Sequence, residues 1–129
     1  MDTARILIVE DDAILVTHLE RMLVHLGYEV AGLAATGETA VELALAHEPD
    51  AVLMDIRLSG AMTGIQAATE IHRQLDTPII YLTAYVDDAL LLQAKHTDAY
   101  AYLTKPVRDH ELRASLEMAL YKHAAERRV

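Results

Sequence analysis

Ile6-Leu7-Ile8-Val9-Glu10-Asp11-Asp12 is the stretch that decides the fold. Four apolar residues run without a break and then give way to three acids. A strand with one wet face alternates apolar and polar residues, whereas a continuous run implies burial on both faces, as inside a parallel sheet. Two more runs have this character: Ala51-Val52-Leu53-Met54, ending at Asp55, and Ile79-Ile80-Tyr81-Leu82, ending at Thr83. Glu29 to Leu33 and Ala99 to Leu103 are weaker runs that suit edge strands.

Between these runs the apolar spacing becomes helical. Leu15, Leu19, Met22, Leu23 and Leu26 form one stripe, and Gly27 follows as a stop. A second helix follows Thr36-Gly37-Glu38, carries Val41, Ala44 and Leu45, and ends before Pro49. A third carries Ile65, Ala68, Ile71 and Leu75 and ends before Thr77-Pro78. Ala89 to Ala94 predicts a fourth. Leu112, Leu116, Ala119, Leu120 and His123 predict a long fifth over about residues 108–127, with cations at its end, where the helix dipole favours them. Strict alternation of strand and helix predicts an α/β fold: a doubly wound, flavodoxin-like, five-stranded parallel sheet of order 2-1-3-4-5.

Composition narrows the function. The 129 residues suit one core and carry no cysteine, which excludes disulfides, thiolate metal sites and a cysteine nucleophile. Twenty acids against eleven bases give a net charge of −9, which argues against direct nucleic-acid binding through phosphate contacts. No apolar run approaches the roughly 20 residues of a bilayer span, and no secretory apolar segment follows the start. A cytoplasmic chain without membrane insertion is the expectation.

In a doubly wound sheet, ligands bind beyond the carboxyl ends of the strands, at the point where strand order reverses. The residues there are Glu10-Asp11-Asp12, Asp55, Thr83-Ala84 and Thr104-Lys105-Pro106. Singly, each has a plain role: Asp12 or Thr83 as a helix cap, Asp55 as a loop acid, Lys105 as a solvated lysine. Together they read differently. The predicted strand order brings Glu10, Asp11 and Asp55 to neighbouring strand ends, and clustered carboxylates need a cation or raised pKa values. An all-oxygen site suits Mg²⁺. With Lys105 and Thr83 at the same mouth, the set has what phosphoryl transfer to a carboxylate requires.

On Ile6-Leu-Ile-Val-Glu-Asp-Asp12, Leu53-Met-Asp-Ile-Arg57, Ile80-Tyr-Leu-Thr-Ala84 and Tyr102-Leu-Thr-Lys-Pro106, the chain resembles the receiver domain of two-component response regulators. The resemblance implies a single receiver domain over residues 1–129, with a core of about residues 4–122. It implies Asp55 as phosphoacceptor from a sensor histidine kinase or a histidine phosphotransfer protein. Asp11, Asp55 and the Arg57 backbone carbonyl would ligate Mg²⁺ (Mn²⁺ as substitute), with Glu10 acting through a bound water. Lys105 and Thr83 would meet the phosphoryl group, Ala84 would leave access to it, and Tyr102 would follow Thr83 as an aromatic switch. A cis Lys105–Pro106 bond is implied too. The loop Leu58-Ser-Gly-Ala-Met-Thr-Gly64 departs from the family's frequent Met-Pro…Asp-Gly pattern by lacking the proline and gaining a residue, and Val107 replaces a common Phe.

Output would pass through the face of the fourth helix, fifth strand and fifth helix, to a downstream protein or a second copy of the chain. Leu91, Tyr100, Met118 and Tyr121 are the candidate contact residues there. Seven histidines read as scattered solvent-facing residues; the closest pair on one helix, His18 and His25, is about 10 Å apart along the axis, too far to share an ion. Two other functions compete: a degenerate receiver that only binds partners, and a small Mg²⁺-dependent phosphohydrolase with an aspartyl nucleophile. The second usually carries an acid two residues after the nucleophile, where this chain has Arg57.

Overall fold

A computed structural model describes residues 3–84 and 99–127. The helix expected at Ala89–Ala94 lies outside those residues, as do Leu91 and His96.

Five strands form the sheet: β1 (Arg5–Val9), β2 (Glu29–Ala34), β3 (Ala51–Asp55), β4 (Ile79–Thr83) and β5 (Ala99–Thr104). All neighbours pair in parallel, in the order β2-β1-β3-β4-β5 expected from the alternation of elements. The described helices are α1 (Ala13–His25), α2 (Gly37–His47), α3 (Gly64–Gln74) and the C-terminal helix (Asp109–Arg127).

The uninterrupted runs work as the period-two geometry requires. Leu7, Val9, Val52, Met54, Ile79 and Tyr81 face a core closed by α2 and α3. Ile6, Ile8, Ala51, Leu53, Ile80 and Leu82 face a second core, closed by α1 and the C-terminal helix. All twelve side chains are fully buried, and burying each large aliphatic one contributes about 1.5–3 kcal/mol.

Helix ends follow local chemistry. The Asp12 carboxylate accepts from the Ile14 and Leu15 amides and caps α1. At the other end Gly27 has φ +94°; its N–H donates to Val24 O, and that of Tyr28 to Leu23 O, the paired bonds of a Schellman stop. Thr63 and Gln66 exchange bonds in a capping box at the start of α3.

Each edge strand carries one irregularity. Ile6 and Leu7 face Val30 and Gly32, skipping Ala31; Ile79 and Ile80 face Ala99 and Ala101, skipping Tyr100. Such bulges are typical of sheet edges. The one in β5 brings Tyr102 opposite Tyr81, and the two rings stack at 5.8 Å between centroids.

The histidine expectation needs correction. His18, His25, His47 and His110 are exposed, but His72 and His123 are half-buried. His123 continues the inward stripe of the C-terminal helix; its Nε2 lies 3.2 Å from an Asp76 carboxylate oxygen, and its ring meets Tyr100 edge-on. Helical phase, not side-chain polarity, sets its place.

Gly64 opens α3 directly behind the end of β3, and its N–H donates to Ile56 O. A Cβ there would run into the Asp55 carbonyl and the Ile56 Cα. In an open helix Gly→Ala stabilises by about 1 kcal/mol. At this position backbone meets backbone and cannot yield, so Gly64→Ala is expected to destabilise by about 1–3 kcal/mol. Urea unfolding checks the sign; a stabilised variant would contradict the close approach.

Candidate functional site

Val9 pairs with Met54 in the sheet, so the next residue of each strand, Glu10 and Asp55, stands side by side at the carboxyl edge. Both are buried, at 2% and 4% exposure. Asp11, one residue further on, is exposed. One carboxylate oxygen from each of the three acids lies within 4.8 Å of the others, and among the described residues this is the one such group of potential metal ligands.

Lys105 follows β5 and reaches into the pair. Its ammonium stands 2.9 Å from Glu10 and 3.3 Å from Asp55. The Lys105 amide donates to Thr83 O at 2.8 Å, which fixes the start of the β5 loop against the end of β4. The Lys105–Pro106 peptide is cis. The second Glu10 oxygen accepts the Asp12 amide at 3.1 Å. The other Asp55 oxygen accepts the Arg57 amide at 3.2 Å, which turns the chain sharply after β3.

Burial, and then the like charge of Glu10, push the Asp55 carboxyl up to about 7 from an ordinary 3.8, against the pull of Lys105 and the Arg57 amide. Burial works against the Lys105 ammonium, but the two carboxylates outweigh it and raise its pKa. The Asp11 carboxyl is lowered, chiefly by the Ser59 hydroxyl. Three hard oxygen donors suit a divalent oxophilic cation.

Thr83 is half-buried and ends β4, and Ala84 beside it is exposed. Strand alternation puts Thr83 on the same side of the sheet as Tyr81, against which Tyr102 stacks at the exposed margin of β5. Met118 and Tyr121 are exposed, at 64% and 75%. Tyr100 is half-buried, with His123 at its edge and the Lys122 ammonium 5.7 Å from its ring centre.

Two residues of this site were not singled out from the sequence. Ser59 holds Asp11: its hydroxyl donates to Asp11 Oδ2 at 2.6 Å and its amide to the same oxygen at 3.2 Å. No local pattern links positions 48 residues apart; the hint was a hydroxyl residue close behind an acid at a strand end. Gly64 is the other, a glycine where helix propensity disfavours one.

Comparison with known proteins gives the family of the chain. Residues 6–117 match the family model of the response regulator receiver domain, and the chain belongs to that family. The transcriptional regulatory protein PdtaR of Mycobacterium tuberculosis is 41% identical over 116 residues, covering 90% of this chain and 56% of PdtaR. The chain thus spans about half the length of curated relatives it matches. The signal receiver domain of a modulated diguanylate cyclase from Desulfovibrio desulfuricans superposes with a TM-score of 0.93 at 38% identity, covering 97% of this chain and 99% of that one. The receiver domain of a sensor histidine kinase from Pseudomonas aeruginosa, solved with a magnesium ion coordinated in its active-site cleft, gives 0.84 at 36% identity, with 92% and 98% covered. The chain is a signalling receiver domain of two-component systems.

The raised Asp55 carboxyl has a stability consequence. Unfolded, it loses its proton near 3.8; folded, near 7. Between those values the folded state holds more protons, so stability falls as pH rises through the window and stays lowered above it. Asp55→Asn removes the buried charge. The variant is expected to be more stable than the parent by about 1–4 kcal/mol near pH 8, a difference that shrinks toward zero below about pH 4. Urea unfolding at several pH values checks this; a difference that does not change with pH would contradict it.

Proposed function

We propose that the chain is a phosphoryl-accepting switch in which Asp55 takes a phosphoryl group from a phosphohistidine on a sensor histidine kinase or a histidine phosphotransfer protein. An Asp55 oxygen forms the new O–P bond, the N–P bond to histidine breaks, and the imidazole leaves with the bonding pair. The observation that carries the reading is the meeting of Glu10, Asp11 and Asp55 within 4.8 Å beside the Lys105 ammonium. Stable folds rarely bury a carboxylate pair without a use for it, since desolvation and like charge both oppose it.

Glu10, Asp11, Asp55 and the Arg57 carbonyl would hold Mg²⁺, with Mn²⁺ as an acceptable substitute. Bound there, the ion would supply positive charge against the phosphoryl oxygens. Lys105 already sits beside Asp55 and would exchange that contact for a phosphoryl oxygen. The Thr83 hydroxyl would close on the same group, and Tyr102, packed on Tyr81 on that side of the sheet, would register the change. Ala84 is too small to block the approach.

The signal would leave through β5 and the C-terminal helix, where Met118 and Tyr121 offer exposed apolar surface to a protein partner or a second copy. Half-buried Tyr100, against His123 and Lys122 of that helix, would complete that face. Among the described residues no helix is long and apolar enough to cross a membrane. We place the protein in the cytoplasm, without direct nucleic-acid contact, and read residues 1–129 as one receiver domain. Arg57, two residues after Asp55, stands where an aspartyl phosphohydrolase keeps its general acid, which favours a switch over an enzyme with turnover.

Treatment with acetyl phosphate and Mg²⁺, followed by intact-mass measurement, tests the assignment. One phosphoryl adduct is expected on the native chain, none on Asp55→Asn, and none when a chelator removes Mg²⁺. An equal adduct on Asp55→Asn, or none on the native chain, would overturn it.

A further inference from the structure

We propose that Ser59 is a positioning residue for the cation site, holding the Asp11 carboxylate in the orientation that presents its other oxygen to the metal. The inference rests on the reading of Glu10, Asp11 and Asp55 as a divalent-cation site.

Asp11 differs from its two neighbours. Glu10 and Asp55 are buried and held by Lys105 and by amides of their own loops. Asp11 is exposed, at a position where a short side chain without partners would turn into solvent. Ordering such a side chain on binding costs conformational entropy, which a preorganised ligand avoids.

Ser59 supplies the order. Its hydroxyl and its amide both donate to Asp11 Oδ2, at 2.6 and 3.2 Å. An ionised carboxylate offers about four lone-pair directions over two oxygens. Ser59 takes up two of them, both on Oδ2, and makes no bond to Oδ1.

The donor is itself fixed. Ser59 bridges to Thr36, just past the end of β2, in an isolated parallel β-bridge. Gly60, at φ +100°, turns the chain away directly afterwards. The loop after β3 is thereby tied to the end of β2 and reaches across to Asp11 beyond the end of β1. Three strand ends are joined through one residue. Hydrogen-bonding groups behind a metal ligand commonly change metal affinity by about 10–100-fold when removed.

Three variants separate the parts. Ser59→Ala removes the hydroxyl and keeps the amide, Ser59→Pro removes both hydrogens, and Ser59→Thr keeps both. Mg²⁺ affinity is measured by isothermal titration calorimetry on the full chain, with circular dichroism to show that each variant is folded. Ser59→Ala is expected to bind roughly 10-fold more weakly and Ser59→Pro more weakly still, with Ser59→Thr close to the native chain. A purely structural loop role would move the melting temperature and leave affinity unchanged. Native affinity in Ser59→Ala, or tighter binding, would overturn the proposal and leave the cation site standing. Failure of the native chain to bind Mg²⁺ at all would overturn the cation site and this inference with it.

Discussion

The Lys105 ammonium, 2.9 Å from Glu10 and 3.3 Å from Asp55, is the contact that the rest of the site depends on. Two carboxylates at adjacent strand ends, both almost without solvent contact, repel each other and have lost their hydration. One cation among them makes the arrangement tolerable without making it comfortable, as the Asp55 carboxyl pushed up to about 7 shows. A fold optimised only for stability would replace such a cluster with apolar residues, at little cost or a gain. That cost is the ground on which the proposed cation site rests.

The sheet converts this electrostatic cost into geometry. Parallel pairing of β1 with β3 leaves no freedom in which residues come together: once Val9 faces Met54, Glu10 and Asp55 must adjoin. Gly64 then lets α3 begin against the back of Asp55, so the acid sits on a rigid strand end with a helix start pressed behind it. On the far side, the bond from the Lys105 amide to Thr83 ties the lysine to β4. The charged groups therefore stand on short tethers from strands packed on both faces. Beyond Thr83, on the same edge, Tyr102 of β5 stacks on Tyr81 of β4.

Much of this was legible in the sequence, for a physical reason. A strand buried on both faces has to be apolar throughout, so the three inner strands announce themselves, and the first residue after each run lands at the ligand edge. Glu10, Asp55 and Thr83 were found in that way, Lys105 lies just past the weaker run of β5, and the resemblance of four ordered motifs to the receiver family gave them roles. Long-range pairing was less accessible. The bond from Ser59 to Asp11 joins two loops that periodicity treats as unrelated, and the tight seat of Gly64 depends on a contact with the backbone of another element. The bulge at Tyr100 shifts the β5 register by one residue and so decides which ring meets Tyr81; alternation read along a single weak strand does not contain it. His123 shows the converse error, since a polar side chain was assigned to solvent although its helical phase pointed inward.

The central claim is that Glu10, Asp11 and Asp55 form a built divalent-cation site whose charge is relieved when the cation binds. The most direct measurement is thermal unfolding of the native chain and of Asp55→Asn, each in Mg²⁺ and in NaCl of matched ionic strength. A ligand that binds only the folded state stabilises it by about 2.7 kcal/mol when present at 100 times its dissociation constant. The account predicts a melting temperature for the native chain that climbs with Mg²⁺ concentration above the NaCl control, and a much smaller rise for Asp55→Asn. Equal rises in both proteins, or no rise beyond the NaCl control, would contradict it.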